Sequence, residues 1–469
     1  MRRPTSIKSL IAFLLLSLSL LVFVLLQNPD IYESTLGKIS YNYAHKGVGK
    51  KVEVVPEKEP FQEIGPSNIY TWDALLYKAI IDSAYVGPKS NFTEKLAYYP
   101  LFSYVWAAST IDSNLIFLFN YLLFIVGLVL LSDLLSENTV SSFFVFAVGL
   151  LLPAMVTYYL PYAESLFLLT FAVAVWGLFK QKYWLFFIGA FAFSMTRPAV
   201  LIFLCALVAS DTIHYYVHRQ IKYYLRELFF KMLPFLLGFF VVTYIQYYYT
   251  GNWFAYFDAM TYFWPTESGL FNTITDWSLQ GFGMTVFAIF FVALPCLVYA
   301  VVWGIKLLKK GNPSPPPSLF KGDKVWIKEY LFITSVLFIG GNLMYTFLTS
   351  GDALNGFYRY TMNIPFFYIV LFLLPEKIKE IPLKNKFIYI GCSSLLMIIF
   401  LASVNYGGSR FQFPYSGLYL SLLVFFYYIA EPYLSVRNKV ITILLLLIPC
   451  IVWHTYLFNM YLSDAWIFT

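Results

Sequence analysis

Cysteine is scarce in this sequence of 469 residues, and charged residues are scarcer than in any ordinary soluble domain. The four cysteines, Cys205, Cys296, Cys392 and Cys450, all fall inside apolar runs. Their placement offers neither a disulfide framework nor the CxxC spacing of a zinc site. Charged residues make up 12% of the chain, whereas 59% of it is hydrophobic and 21% aromatic. This balance excludes a soluble globular domain.

Long apolar runs replace the missing charge. Runs of roughly 17 to 22 apolar residues recur along the chain, and a helix of about 20 residues spans a hydrocarbon core about 30 Å thick. The sequence therefore predicts an all-α polytopic membrane protein with about 10 to 12 transmembrane helices. The segment 1–26, with Arg2, Arg3 and Lys8 before an apolar run, predicts a retained signal anchor that forms the first span.

The basic residues indicate the orientation of the chain. The net charge is +7, and 21 of the 32 lysines and arginines fall in the segments that alternation of the spans places in the cytoplasm. Positive-inside bias explains this basicity better than a nucleic-acid partner does. The first extracytoplasmic loop is then 27–112, with in-plane amphipathic helices. A helical module at 113–308, a Pro-rich cytoplasmic linker at 309–328 and a C-terminal helical module at 329–469 follow.

Several polar residues collect beside span ends on the predicted extracytoplasmic side. They are Asp73, Asp82, Glu164, Arg197, Asp258 and Arg359. Asp73 and Asp82 are nine residues apart, so on one helix they point to opposite faces and cannot form an acid pair. We therefore expect Asp82 to be a solvated surface residue.

Each of these residues taken alone also has a structural explanation. Thr71 as a helix N-cap would place Asp73 in the first turn, where the helix dipole favours a carboxylate. Glu164 follows Pro161 at a predicted helix start, with the same consequence. Arg197 and Arg359 would each be accounted for by snorkelling to the membrane interface.

The combination favours a different account. Arginine binds phosphate through bidentate, charge-assisted hydrogen bonds, and a carboxylate accepts the proton of an attacking hydroxyl. A carboxylate and two arginines on one side of the membrane are what a lipid-phosphate site requires. The pattern therefore predicts group transfer with a membrane phospholipid carrier as the leaving group.

Four segments in the same order resemble one family. "WDALLYKAIIDSAY" with "LAYYPLFSYVWAAS", then "YYLPYAESLFLLT" with "SMTRPAVLIF", then "TGNWFAYFDAMTYFW" and "FYRYTMNIPFFYIVLFLL" are similar to motifs of the GPI mannosyltransferase 2 family and its prokaryotic relatives. The matches cover about 70–370. Thr71 stands where eukaryotic relatives often have histidine, and Ala163 stands where the family has serine or threonine. The region after about 376 shows no match.

This resemblance implies a GT-C-like fold, in which 113–308 is the GT-C helical module. It also implies a hexosyltransferase that takes a sugar, with mannose favoured, from a polyprenyl-phosphate donor and passes it to a lipid or glycan acceptor. Asp73 takes the role of catalytic base in a single displacement, and the match also marks Glu164, Arg197 and Arg359. By chemistry, Arg197 and Arg359 are assigned to the donor phosphate. Trp72, Glu164, Asp258 and Tyr360 are further active-site candidates.

Cofactor, ligand contacts and location are less specified. A divalent metal beside Asp73 is compatible with the sequence, yet no clustered second carboxylate or histidine requires one. Trp72, Tyr98, Tyr99, Trp253 and Trp264 are either sugar-stacking residues or part of an interfacial aromatic belt. The expected location is the cell membrane, or the endoplasmic reticulum membrane in a eukaryote. The rival function is a transporter or flippase of a lipid-linked precursor, in which the arginines are waypoints for a headgroup.

Overall fold

A computed structural model describes most of the chain. The described residues are 17, 20–38, 41–46, 53–58, 60–86, 94–135, 149–218, 221–263, 282–309, 319–320, 322–349, 357–379, 381–403, 420–426, 429 and 433–464. Much of the predicted signal anchor at 1–26 lies outside the described residues, and 20–26 is helical.

Helices dominate the described part of the chain. They are α1 (Pro29–Ser34), α2 (Asp73–Ser83), α3 (Leu101–Ser109), α4 (Ile116–Leu135), α5 (Glu164–Phe179), α6 (Tyr183–Ser194), α7 (Val200–His218), α8 (Ile221–Thr250), α9 (Ala255–Phe263), α10 (Phe282–Ala288), α11 (Leu294–Lys309), α12 (Lys324–Thr349), α13 (Phe357–Met362), α14 (Pro365–Ile378), α15 (Leu383–Ser403) and α16 (Val436–Leu462). A π-helical turn, Ile289–Ala293, joins α10 to α11.

Five helical segments among the described residues are long and apolar enough to cross a membrane. They are Ser113–Leu135, Tyr224–Thr250, Thr285–Leu307, Lys324–Leu348 and Arg437–Leu462. Shorter apolar helices occupy Glu164–Phe179, Tyr183–Ser194 and Val200–Ile213. The predicted helical, multi-pass membrane character is thus confirmed, whereas the span count of 10 to 12 includes segments outside the described residues and stays a prediction.

The first loop contains more than the expected helices. Strands β1 (Tyr41–Lys46) and β2 (Glu53–Lys58) pair antiparallel, with Tyr41 opposite Lys58 and Lys46 opposite Glu53. This ribbon is an exception to the predicted all-α fold. The two short helices α2 and α3 pack on each other beyond it.

Helices α5 and α6 form a close antiparallel pair that brings two site residues to one end of the bundle. A Cβ atom on Gly189 would lie 2.3 Å from the backbone nitrogen of Ala174, and one on Gly177 would lie 2.2 Å from that of Phe186. Only glycine permits this approach of the two backbones. Because the pair is antiparallel, the start of α5 at Glu164 and the loop after α6, with Arg197, lie at the same end.

On the predicted cytoplasmic side, helix α7 is described to His218 and the long helix α8 begins at Ile221. Helix α12 begins at Lys324, inside the predicted linker 309–328. The amide of Leu319, also in that linker, donates a hydrogen bond to Glu227 of α8, so this part of the linker packs on the bundle.

Candidate functional site

Asp73 is the first residue of α2, directly after a residue with an unusual backbone. Trp72 has φ 51° and ψ −129°, a conformation that favours glycine, and it makes no side-chain cap. The expected N-cap, Thr71, does not cap the helix, because its hydroxyl donates a hydrogen bond to the carbonyl of Tyr461 at 3.4 Å. Asp73 lies in the first turn of α2 as predicted. Its position at the helix start is not its only interaction, because both carboxylate oxygens have other partners.

An ion pair joins Asp73 to Arg359 of α13. The Nη1 atom of Arg359 lies 2.5 Å from Oδ2 of Asp73. The Asp73 side chain keeps 18% of its surface exposed, whereas that of Arg359 keeps 6%. The carboxylate is therefore the member of the pair that meets the exterior. The alternative explanation of Arg359, an isolated residue that snorkels to the interface, does not describe it, because its guanidinium contacts two carboxylates.

Glu164 connects the second face of Arg359 to Arg197. Glu164 is the first residue of α5 and has no exposed surface. Its Oε1 accepts a hydrogen bond from Nε of Arg359 and lies 3.1 Å from Nη1 of Arg197. The expected helix-start position is confirmed, but the carboxylate serves as the bridge between two buried guanidinium groups. Arg197 is 6% exposed, so snorkelling does not describe it either.

We call these four residues, Asp73, Glu164, Arg197 and Arg359, the charge cluster. It contains two negative and two positive groups. Charges removed from water are costly unless they are paired, and removal of one partner leaves the other uncompensated. The cluster therefore holds two arginine charges in a dry position without a net charge of its own.

Aromatic rings surround the charge cluster. The guanidinium of Arg359 lies 4.5 Å from the ring centre of Tyr162, and that of Arg197 lies 5.6 Å from the ring centre of Tyr360. These distances permit cation–π attraction. Tyr360 is 46% exposed, so the predicted candidate Tyr360 covers Arg197 from the outer side. Trp72 is 39% exposed beside Asp73.

Tyr98 is the second partner of Asp73. Its hydroxyl donates a hydrogen bond to Oδ1 of Asp73 at 2.8 Å. Burial and the charge of Asp73 raise the pKa of Tyr98 well above its usual range, so the phenol stays protonated and remains a donor. Burial likewise raises the pKa of the neighbouring Tyr77, helped by the charge of Glu164. The sequence indicated Tyr98 only as a sugar-stacking or belt residue, and its hydrogen bond to Asp73 is an additional contact.

Helix α16 holds the segment that leads into Asp73, a contact that was not among the sequence-based predictions. The Oδ1 atom of Asn459 accepts a hydrogen bond from the backbone amide of Gln62 at 2.7 Å. The Nδ2 atom of Asn459 donates a hydrogen bond to the carbonyl of Pro60 at 3.0 Å. The hydroxyl of Tyr461 lies 2.9 Å from the carbonyl of Ile69. A signal was present, because Thr455 and Asn459 are polar, buried and one helical turn apart within a span.

Other predicted residues lie elsewhere. Asp258 is exposed on α9, and its Oδ2 accepts a hydrogen bond from Asn252 at 2.6 Å, so the structure does not bring it to the charge cluster. Asp82 pairs with Lys78 on the surface, as expected for a solvated residue. Trp253 stacks 4.4 Å from Tyr247 on an exposed face of α8, which favours a belt position. Trp264 lies outside the described residues.

A second buried charged group lies toward the opposite end of the bundle. Nζ of Lys231 lies 2.9 Å from both oxygens of Asp211, and the hydroxyl of Tyr330 donates to Oδ1 of Asp211 at 2.8 Å. A cavity of about 30 Å³ adjoins Lys231 and Tyr330, and none of the charge cluster lines it. These contacts tie α7, α8 and α12 together at the predicted cytoplasmic side.

The chemistry available at the charge cluster follows from its groups. It presents one partly exposed carboxylate, a protonated tyrosine and two guanidinium groups that can stabilise phosphate charge. Within the described ranges, no three His, Cys, Asp or Glu side chains form a group able to hold a metal ion. Comparison with protein-family models, with curated proteins and with solved structures finds no match to this chain.

Proposed function

We propose that this chain is a GT-C-type membrane glycosyltransferase. It transfers a sugar, with mannose favoured by the family resemblance, from a polyprenyl-phosphate donor to a hydroxyl of a lipid or glycan acceptor on the extracytoplasmic side. The observation that carries the proposal is the pair of Asp73 and Arg359, in which a partly exposed carboxylate is backed by a buried guanidinium. The family resemblance marked both residues, and they are far apart in the sequence.

The proposed reaction is a single displacement. The acceptor oxygen forms a bond to the anomeric carbon of the donor sugar, while the bond from that carbon to the phosphate oxygen breaks. The electron pair of the broken bond remains on the phosphate, and the acceptor proton passes to Asp73. A positioned general base of this kind contributes about 10²- to 10⁴-fold to a rate. Arg359 and Arg197 stabilise the charge that develops on the phosphate.

The charges of the cluster suit this reaction. The donor phosphodiester carries one negative charge, and the polyprenyl phosphate that leaves carries up to two. When Asp73 takes the acceptor proton, the charge cluster changes from neutral to one net positive charge. The second phosphate charge therefore appears at the moment when the cluster gains a compensating one, so no ion has to be recruited from solvent to a low-dielectric site.

The test is a transfer assay on the purified full-length chain with polyprenyl-phosphate mannose and with other polyprenyl-phosphate sugars. We expect Asp73→Asn to lower turnover about 10²- to 10⁴-fold, because the base is lost. Asp82→Asn is the matched control, since it removes a carboxylate from the same helix at an exposed position, and we expect turnover within about twofold of the parent.

Near-normal turnover of Asp73→Asn at normal protein levels would contradict the general-base role. A different outcome would favour the transporter function over the glycosyltransferase function. In that outcome no sugar is transferred from any donor, while liposomes that contain the chain move polyprenyl-phosphate sugar across the bilayer. Mass analysis of lipid-linked glycans in a deletion strain then identifies the sugar and the acceptor.

A further inference from the structure

Both oxygens of Asp73 are engaged in the structure, and this is unsuited to a base awaiting a proton. Oδ2 lies 2.5 Å from Nη1 of Arg359, and Oδ1 accepts the hydroxyl proton of Tyr98 at 2.8 Å. Charge-assisted bonds of this length are strong, so each oxygen of the Asp73 side chain already has a close donor. For Asp73 to take a proton from an acceptor, its bond to Arg359 has to be replaced.

Arg359 has contacts that hold its guanidinium in place without Asp73. Its Nε bonds to Glu164, which has no exposed surface, and its guanidinium packs at 4.5 Å over the Tyr162 ring. If Asp73 turns away, these two contacts keep the guanidinium where it is. The Nη1 atom that Asp73 contacts can then form a charge-assisted bond to a phosphate oxygen in its place.

The exposed fractions indicate which partner leaves. The side chain of Asp73 is 18% exposed, and those of Arg359 and Glu164 are 6% and 0% exposed. Asp73 is therefore the group that can exchange its bond for contact with water or with an acceptor, while Glu164 has no such alternative. The exchange is local, because it requires only rotation of the side chain of the first residue of α2.

We propose that the donor phosphate exchanges with Asp73 on Arg359, so that Asp73 becomes an available base only while a donor is bound. The proposal rests on the proposed function, because it assigns the phosphate of the lipid-linked donor as the group that takes the place of Asp73. In the absence of donor, the Asp73–Arg359 pair keeps the charge cluster neutral. With donor bound, the phosphate pairs with Arg359, and Asp73 faces the acceptor.

The exchange makes a prediction whose sign is unusual. Asp73 and phosphate compete for Arg359, so removal of the Asp73 charge strengthens phosphate binding, although the same change lowers the rate of sugar transfer about 10²- to 10⁴-fold. A residue that merely lines a binding site weakens binding when it is altered. The probe is citronellyl phosphate, a short polyprenyl phosphate, titrated calorimetrically into the purified full-length chain in detergent.

We expect Asp73→Asn to bind citronellyl phosphate at least about tenfold more tightly than the parent chain, since an asparagine amide competes poorly for a guanidinium. Asp82→Asn makes the same change in net charge on the same helix, away from Arg359, and we expect its affinity to change less than about twofold. The double variant Asp73→Asn, Arg359→Gln is expected to lose the gain, because the phosphate partner is absent.

Three outcomes would overturn the exchange. Asp73→Asn binds the probe no more tightly than the parent, or neither chain binds it. Asp82→Asn gains as much affinity as Asp73→Asn, which would assign the effect to long-range charge. The third outcome is that inorganic phosphate binds the parent and Asp73→Asn chains as tightly as citronellyl phosphate does, with the same gain in affinity from the substitution. Free phosphate would then be the occupant. Loss of the proposed function is distinguishable, since it is read from sugar transfer by the parent chain rather than from these affinities.

Discussion

Thr71 and Tyr461 are joined by hydrogen bonds in both directions across almost the whole length of the chain. The hydroxyl of Thr71 donates to the carbonyl of Tyr461 at 3.4 Å, and the hydroxyl of Tyr461 lies 3.2 Å from the carbonyl of Thr71. Thr71 is two residues before Asp73. Helix α16 therefore fixes the backbone from which the proposed base projects.

Tyr461→Phe tests this contact. The substitution removes the hydroxyl and leaves the carbonyls of Ile69 and Thr71 without that donor, at a cost of about 1–3 kcal/mol in the free energy of unfolding. We expect a lower midpoint of thermal unfolding in detergent and a turnover about tenfold lower, because misplacement of a reacting group by about 1 Å is costly. KM for the donor is expected to change little, since Arg359 and Glu164 are untouched.

Tyr433→Phe is the control for the loss of a tyrosine hydroxyl. Tyr433 is 71% exposed. We expect the loss of its hydroxyl to leave both the turnover and the midpoint of thermal unfolding unchanged. A Tyr461→Phe chain with parental turnover would show that the C-terminal helix does not position Asp73.

Trp72 provides a test of backbone strain beside the proposed base. Its φ of 51° costs an L-residue roughly 1–3 kcal/mol, whereas glycine adopts this region freely. Both Trp72→Gly and Trp72→Ala remove the indole, so the difference between them isolates the backbone. We expect the glycine variant to be the more stable by about 1 kcal/mol, read from thermal unfolding of the two chains. An alanine variant at least as stable as the glycine variant would show that Trp72 stores no strain.

Sequence reasoning identified the residues of the charge cluster but not their pairing. Asp73, Glu164, Arg197 and Arg359 were predicted to lie on one side of the membrane because each stands beside a span end. Each was also given an isolated explanation, as a helix-start carboxylate or a snorkelling arginine. Those explanations consider one residue at a time, whereas the pairing of Arg359 with Glu164 is set by the tertiary fold, which brings these two side chains together.

Asp258 and Asn459 show why a position beside a span end is an incomplete guide to the site. Asp258 lies beside a predicted span end like the others, but α9 directs it to the surface and to Asn252. Asn459 lies inside an apolar helix, where the hydropathy pattern does not indicate which side of the helix faces the rest of the protein. A buried amide in a membrane span has to find a partner, and that requirement is the signal by which such residues can be predicted.

The bridge between Glu164 and Arg197 makes the last prediction. Glu164→Gln removes one negative charge from between two buried arginines, and loss of one partner from a buried ionic group costs about 3–5 kcal/mol. Arg197→Gln is expected to cost less, because Glu164 keeps its bond to Arg359. In the double variant one charge of each sign is gone, and the remaining Asp73–Arg359 pair is again neutral. We therefore expect the double variant to be more stable than the sum of the single effects predicts, by about 1 kcal/mol or more.

The surface pair Lys78 and Asp82 is the matched control, because its side chains are 30% and 56% exposed. In the double-mutant cycle of Lys78→Gln and Asp82→Asn, we expect a coupling free energy of less than about 1 kcal/mol. Strictly additive effects at Glu164 and Arg197, measured by unfolding of the four chains in one detergent, would show that the two side chains do not share a charge balance.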